Sequence, residues 1–186
     1  MLLFIHGFGS SGRGTKAQML KAWCQEQGIH FMSPSLPNIP ELAIETLQEI
    51  IEVIQKYESV GLVGSSLGGF YATWLANHYS LPYVLVNPSV EPYKTLEQAF
   101  GRAINFHDQS SYEWNTHHTK SLLQYKVEEP ITERCLLLVQ TGDELLDYRQ
   151  AVDHYSAAKQ IVEEGGNHGF VGFENHLKTL TDFLNV

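Results

Sequence analysis

The chain has few basic residues, few cysteines and no long apolar segment. Of its 186 residues, 12 are Lys or Arg and 21 are Asp or Glu, which gives a formal net charge of −9. A general nucleic-acid binder needs a basic face, so this class is not expected. The sequence shows no run of transmembrane length and no signal-peptide pattern. We therefore expect a cytoplasmic protein without a membrane span.

Cysteine is nearly absent, and the few metal-ligating residues show no useful spacing. Of the only two cysteines, Cys24 falls in a helical pattern and Cys135 at the start of an apolar run, so we expect both to be reduced and buried. His117 and His118 are adjacent, but no spacing of His, Cys, Asp and Glu resembles a ligand set. The sequence predicts no metal site and places these two histidines at the surface or in a lid.

The residues that are present alternate between short apolar runs and amphipathic stretches. A length of 186 residues suits one domain, residues 1–186. Alternation of this kind predicts an α/β fold with about six mostly parallel strands and helices on both faces. The predicted strands are 2–5, 29–32, 60–63, 83–86, 136–140 and 160–163, and the predicted helices are 17–27, 41–57, one following residue 66, 148–158 and 173–184.

One segment interrupts the alternation. Residues 88–133 join two predicted strands, although a crossover helix needs only about a dozen residues. The segment is rich in aromatic residues, and long excursions of this kind are often lids or binding loops. We therefore expect a lid-like insertion at about 88–133 that shapes a binding pocket.

The motif G-x-S-x-G occupies Gly64 to Gly68, between an apolar run and a helical pattern. In this context the motif predicts a sharp strand-to-helix turn that exposes the hydroxyl of Ser66. A serine hydroxyl needs a base, and the base needs a partner that fixes its tautomer. The motif therefore predicts a nucleophile only if an acid and a histidine accompany it.

An acid and a histidine follow the serine in the required order. Asp143 comes just after the run 136–140, and His168 lies between glycines just after the run 160–163. Open α/β sheets place their sites at the carboxyl ends of strands. Asp147 is a second candidate acid, and it could instead be the N-cap of the next helix. We prefer Asp143 because it lies closer to the strand end.

A serine nucleophile also needs N–H groups that stabilise the oxyanion. The residue after the nucleophile, Leu67, supplies one such N–H, and the loop after the first strand supplies the other. The Phe8 N–H is our candidate from that loop, and Ser10 or Ser11 could add a hydroxyl donor. The resulting mechanism needs no cofactor and no metal.

The same glycine-rich loop resembles two nucleotide-binding motifs. Residues 7–12 match G-x-G-x-x-G, but no acid follows near the end of the second predicted strand. Residues 9–16 approach a Walker A loop, but Thr15 and Lys16 stand in the wrong order. Neither nucleotide-binding interpretation is favoured.

Four segments together resemble a known family: His6 to Ser11, Gly64 to Gly69, Thr141 to Tyr148, and Gly165 to Phe170. They look like the small bacterial esterases of the YqiA/YcfP type (UPF0227), within the α/β-hydrolase superfamily. The resemblance covers nearly the whole chain. It implies a compact α/β hydrolase that starts at the third strand of larger members. It also implies esterase activity and a catalytic triad of Ser66, Asp143 and His168.

The leading hypothesis is a serine esterase or thioesterase that acts on a small acyl substrate through an acyl-enzyme on Ser66. An acyltransferase with the same triad is an alternative, since only water access and acceptor binding distinguish the two. A non-catalytic binding protein of the same fold is the second alternative. Such proteins usually lack one member of the triad, and here all three are present.

Overall fold

The computed structural model describes all 186 residues. Eight strands form: β1 (Leu2–Ile5), β2 (Phe31–Met32), β3 (Gly61–Ser65), β4 (Tyr83–Val86), β5 (Gly101–Ile104), β6 (Ser111–Trp114), β7 (Cys135–Gln140) and β8 (Lys159–Glu163). Seven α-helices accompany them: α1 (Thr15–Gln27), α2 (Pro40–Ile54), α3 (Leu67–Tyr79), α4 (Pro92–Thr95), α5 (Thr116–Leu122), α6 (Tyr148–His154) and α7 (Leu177–Leu184).

Six strands form one parallel sheet in the order β2-β1-β3-β4-β7-β8. Adjacent residues of its central strands point to opposite faces, and both faces are apolar. Leu2 and Phe4 pack with α1 and α7, whereas Leu3 and Ile5 pack with α2, α3 and α6. Burial on both faces explains why these strands are continuous apolar runs. The predicted α/β architecture is confirmed.

Several predicted boundaries are wrong by a few residues. The second helix ends at Ile54 rather than residue 57, and α6 ends at His154 rather than 158. The last helix starts as a 3-10 turn over Phe173–His176 before α7 begins. Apolar residues continue beyond the last helical turn in these segments, so periodicity alone does not mark the end. Cys24 and Cys135 are free and buried, as expected.

The segment 88–133 is folded into secondary structure. It contains α4, a 3-10 turn, the antiparallel hairpin β5–β6 and α5, and the sequence patterns did not predict this hairpin. The hairpin tip docks on the loop after β1: the Phe106 N–H donates to the Gly9 carbonyl at 2.7 Å, and Asn105 Nδ2 donates to the Ser10 carbonyl at 3.3 Å. A lid function and the single-domain boundary 1–186 stay predictions.

Both adjacent histidines lie in the inserted segment 88–133, and one of them, His118, is half-buried. Its ring stacks on Trp114 at 4.8 Å, and its Nδ1 accepts a hydrogen bond from the Asn115 N–H at the start of α5. His117 is exposed, as expected. No helix combines the length and apolar character that crossing a membrane would require.

Candidate active site

Ser66 lies at a sharp turn between β3 and α3. Its backbone has φ 55° and ψ −123°, a conformation that residues with a side chain rarely adopt. A Cβ atom at Gly64 would overlap the carbonyl oxygen of Gly68, and one at Gly68 would overlap the carbonyl oxygen of Ile5. Both glycines are therefore required by close backbone packing, as the nucleophile-elbow motif predicts.

The three residues selected from the sequence form a chain of hydrogen bonds. Ser66 Oγ lies 3.1 Å from His168 Nε2, and His168 Nδ1 lies 2.8 Å from Asp143 Oδ2. The Asp143 side chain is 2% exposed and that of His168 is 19% exposed. The carboxylate is acceptor only, so Nδ1 carries the proton and Nε2 is free to accept from the serine hydroxyl. This tautomer is the one a general base requires.

The surroundings of Asp143 favour its ionised form. Its Oδ1 accepts the backbone N–H groups of Leu145 and Leu146, both at 2.9 Å. Burial raises the pKa of the Asp143 carboxyl, but the bonds from His168 and the backbone outweigh burial and hold the pKa below its usual value. The carboxylate is therefore charged at neutral pH and can stabilise a positive charge on the imidazole.

Asp147 lies elsewhere and has a structural role. Its side chain accepts the Arg149 N–H at the start of α6 and pairs with the Arg149 guanidinium. This is the N-cap role that the sequence left open for it. The structure brings Asp143, and not Asp147, to the histidine.

Two buried polar residues that the sequence reasoning missed hold the histidine loop. Asn87 Nδ2 donates to the carbonyls of Asn167 and His168, at 3.0 and 3.2 Å. Gln140 Oε1 accepts the N–H groups of Asn167 and Val171. Their positions in the sequence could have indicated this role. Asn87 directly follows β4 and Gln140 ends β7, so both polar side chains lie at the carboxyl ends of buried strands.

The Gly7–Phe8 peptide lies beside the serine. A Cβ at Gly7 would come within 2.9 Å of Ser66 Cβ. The Gly7 carbonyl accepts His6 Nδ1 at 2.9 Å and the Ser10 N–H at 3.3 Å. A trans peptide holds its C=O and N–H antiparallel. Because the Gly7 carbonyl points toward His6 Nδ1 and the Ser10 N–H, the Phe8 N–H points away from these two groups. That N–H has no hydrogen-bond partner within the protein.

His6 is buried and neutral in this arrangement. The Gly7 carbonyl can only accept, so Nδ1 carries the proton and Nε2 accepts the Leu36 N–H at 2.9 Å. Burial lowers the pKa of His6, although the bond to the Gly7 backbone raises it in part. The ring thus joins the loop after β1 to the loop after β2.

Leu67 is the first residue of α3, and N–H groups of a first helical turn have no partner inside their helix. Its backbone is beside Ser66, and Phe8 and Leu67 line the same cavity as the serine. Ser10 also lines this cavity, whereas the Ser11 Oγ is engaged with the Arg13 N–H. Of the two additional hydroxyl donors considered from the sequence, only Ser10 reaches the cavity.

The hairpin packs against Phe8. The Phe8 ring makes edge-to-face contacts with Trp114 and Tyr112, at centroid distances of 4.9 and 5.9 Å. Trp114 is 1% exposed, and its Nε1 donates to the Leu96 carbonyl at 3.0 Å. The inserted segment therefore supports the loop that contains Phe8.

A cavity of about 370 Å³ opens at the serine. Its apolar walls come from both the main domain and the inserted segment: Phe8, Leu67, Leu96, Ala99, Phe106, Leu145 and Leu146. Only two ionisable side chains, Lys16 and His168, line it. No group of three or more His, Cys, Asp or Glu side chains in the chain is arranged to hold a metal ion. The site is therefore a largely apolar pocket beside a serine that is hydrogen-bonded to a histidine.

Solved structures with the same fold cover nearly the whole chain. Est1E of Butyrivibrio proteoclasticus, solved with ferulic acid, matches with a TM-score of 0.77 and 13% identity, covering 99% of this chain and 87% of that one. A monoacylglycerol lipase of Paleococcus ferrophilus matches with a TM-score of 0.76 and 18% identity, covering 99% and 93%. The mouse α/β hydrolase domain-containing protein 10 matches with a TM-score of 0.70 and 16% identity, covering 99% and 89%. At these identities the likeness concerns the fold.

Curated relatives match over their full length. A UPF0227 protein of Vibrio campbellii is 23% identical, with 100% of both chains covered. The UPF0227 protein YcfP of Salmonella newport is 24% identical, with 100% of this chain and 99% of the relative covered. The profile of the uncharacterised protein family UPF0227 matches residues 1–185. The chain, with its α/β-hydrolase fold and its Ser66 turn, therefore belongs to the UPF0227 family.

Proposed function

We propose that this protein is a serine hydrolase that cleaves carboxylic esters or thioesters of small acyl substrates. The observation that carries the proposal is the continuous hydrogen-bond chain from Ser66 Oγ through His168 to Asp143. The three groups are a nucleophile, a base and an orienting acid, which is the combination that acyl transfer to serine requires. The fold is one that also carries a monoacylglycerol lipase, which agrees with the proposal.

The first half-reaction forms an acyl-enzyme. Ser66 Oγ attacks the acyl carbon while its proton passes to His168 Nε2, and the Asp143 carboxylate stabilises the imidazolium that results. The carbonyl oxygen becomes an oxyanion as the new C–O bond forms. His168 then gives the proton to the leaving alkoxide or thiolate when the bond to the leaving group breaks.

The second half-reaction releases the acid. A water molecule gives a proton to His168 Nε2 and attacks the acyl carbon, and the Ser66 oxygen leaves with that proton. The N–H groups of Phe8 and Leu67 are the proposed oxyanion donors in both halves. In other serine hydrolases the loss of one donor costs about 3 kcal/mol of transition-state stabilisation.

The cavity supports a substrate with an apolar portion. Phe106 and Leu145, which are 73% and 60% exposed, stand where the cavity meets solvent. Large exposed apolar side chains at a concave site commonly contact ligand. We therefore expect the hydrocarbon part of the substrate to lie against these residues. A cytoplasmic location of the protein stays a prediction.

A fluorophosphonate probe tests the proposal directly. Wild type and the variants Ser66→Ala, His168→Ala and Ser89→Ala are incubated with the probe, and the labelled residue is located by peptide mass spectrometry. We expect labelling at Ser66 in wild type and in Ser89→Ala, a control serine of the same cavity. Labelling should vanish in Ser66→Ala and slow strongly in His168→Ala, because the base is missing.

Failure of wild type to react at Ser66, together with no turnover of a panel of activated esters, would overturn the proposal and favour a binding protein. Product analysis with added alcohol or amine distinguishes hydrolysis from acyl transfer. Free acid as the dominant product supports the hydrolase.

A further inference from the structure

Lys16 is an unusual lysine in this chain. It is partly buried, whereas every other lysine is exposed. Its side chain forms no ion pair with any carboxylate, unlike Lys94, Lys126 and Lys178. Removing an ammonium group from water without a partner costs free energy. A partly desolvated lysine without a partner, at a cavity, is a candidate for ligand binding.

The position of Lys16 links it to the serine. It lines the 370 Å³ cavity together with Ser66 and His168, and no other lysine and no arginine lines that cavity. It also lines a neighbouring cavity of about 490 Å³, where Glu174 and His6 are the other ionisable groups. The two cavities share Lys16 and short stretches of the surrounding loops. Lys16 therefore lies where the two cavities adjoin.

The surroundings of Lys16 contain no carboxylate that forms an ion pair with its ammonium group. Burial lowers the pKa of Lys16, and the nearby Asp143 carboxylate raises it in part. Asp143 accepts hydrogen bonds from His168 and from two backbone N–H groups, and its ion-pair partner is His168 rather than Lys16. No acidic side chain lines the cavity that contains the serine.

We propose that Lys16 selects substrates that carry an anionic group, a carboxylate or a phosphate, near the scissile acyl bond. This inference rests on the proposed function and narrows its substrate class to charged esters or thioesters. The apolar walls hold the hydrocarbon part of such a molecule, and the Lys16 ammonium pairs with its charge. The anionic group stays intact in the reaction and serves only for binding.

Matched substrate pairs test the inference. For charge on the acyl side, the mono-para-nitrophenyl ester of glutaric acid is compared with para-nitrophenyl butanoate. For a carboxylate on the leaving group, the butanoyl thioester of thioglycolic acid is compared with the butanoyl thioester of methyl thioglycolate. For a phosphate on the leaving group, the butanoyl ester of a para-nitrophenol that bears a ring phosphate is compared with the same ester without the phosphate. The enzymes are wild type, Lys16→Met, Lys16→Arg and the control Lys21→Met, which removes an exposed lysine from the same helix.

We expect Lys16→Met to lower kcat/KM for at least one anionic substrate by roughly tenfold to a hundredfold, the effect of losing a charge-assisted bond. The loss should appear mainly in KM, and the neutral partner should be nearly unaffected. Lys16→Arg should restore much of the preference, and Lys21→Met should behave as wild type. The substrate pair that responds identifies the side and the type of the charge.

Two outcomes would overturn the inference. If Lys16→Met lowers kcat/KM equally for charged and neutral substrates, Lys16 acts on Asp143 rather than on the substrate. If kcat/KM falls for no substrate, Lys16 has no role in the reaction. Fluorophosphonate labelling of Ser66 separates this inference from the proposed function. A wild type that is labelled at Ser66 and shows no charge preference leaves the serine hydrolase standing and removes only the role of Lys16.

Discussion

The Phe106 N–H donates a hydrogen bond of 2.7 Å to the carbonyl of Gly9. Phe106 belongs to the tip of the inserted hairpin, and Gly9 belongs to the loop that contains Phe8, whose N–H is a proposed oxyanion donor. Two residues nearly one hundred positions apart thus connect the insertion to the proposed oxyanion site. The segment that shapes the cavity also supports the groups that would carry out the chemistry.

Gly9 tests this connection. It has φ +63°, and a Cβ there would come within 2.9 Å of the Ile104 carbonyl and 3.0 Å of the Phe106 ring. We expect Gly9→Ala to displace the loop and lower kcat by up to about a hundredfold, by analogy with the loss of an oxyanion donor. We expect KM to rise as well, because the displaced Phe106 ring lines the cavity.

Gly28→Ala is the matched control for that substitution. Gly28 has φ +70°, but a Cβ there meets no atom within 4 Å. This variant should lose about 1 kcal/mol of stability through backbone strain and keep its kcat. Similar kcat values for the two alanine variants would argue against any role of the Gly9 loop in catalysis.

The two candidate acids make an isosteric comparison. We expect Asp143→Asn to lower kcat by about ten-thousandfold, because the amide no longer fixes the required tautomer of His168. Asp147→Asn should keep full activity, because asparagine is an equally good N-cap. Steady-state kinetics on one activated ester measure both effects. A large loss in Asp147→Asn with little change in Asp143→Asn would reverse the assignment.

The strained conformation of Ser66 predicts opposite effects on stability and activity. Ser66→Gly relieves the strain of φ 55° and should raise the free energy of unfolding by about 1 kcal/mol relative to Ser66→Ala. Neither variant should react with a fluorophosphonate. Urea unfolding of the two inactive variants provides the measurement, and an equal or lower stability of the glycine variant would contradict the strain.

Trp114 tests the support that the hairpin gives to Phe8. Trp114→Ala removes a side chain that is 1% exposed and should cost about 3 to 5 kcal/mol of stability. Trp114→Phe keeps the aromatic contact with Phe8 and loses the bond to the Leu96 carbonyl, so it should cost less. Thermal and urea unfolding of both variants measure the difference. A loss below about 1 kcal/mol in the alanine variant would show that the contact is not part of the core.

His6 predicts a dependence of stability on pH. Burial lowers its pKa below the ordinary value of 6.5, so the folded state favours the neutral ring. The stabilisation is fully present above pH 6.5 and is lost as the pH falls through the lower pKa of the folded protein. A protonated ring also cannot accept the Leu36 N–H.

His6→Gln removes this titration and therefore tests it. We expect the variant to be less stable than wild type at neutral pH and the difference to shrink as the pH falls from about 7 to about 5. Urea unfolding at a series of pH values measures the difference. A gap that stays constant or widens in acid would rule out the neutral buried ring.

The residue patterns indicated most of the fold because each central strand is buried on both faces. Such strands appear as apolar runs, and β1, β3, β4 and β7 follow from them within one or two residues. The hairpin β5–β6 did not follow, since its exposed, polar strands carry no such signal and depend on packing against Phe8. Helix ends were missed where apolar residues continue past the last turn.

The sequence by itself determined the chemical types and the chain order of the site. A serine between tight glycines, an acid after one strand and a histidine after the next predict a triad because parallel strands end at one edge of the sheet. Only the tertiary structure shows that the Asp143 carboxylate contacts the imidazole and that of Asp147 does not, because this contact depends on how the loops pack together. It also decided the surroundings of Lys16, because burial and the absence of a partner are properties of packed neighbours that lie far away in the chain.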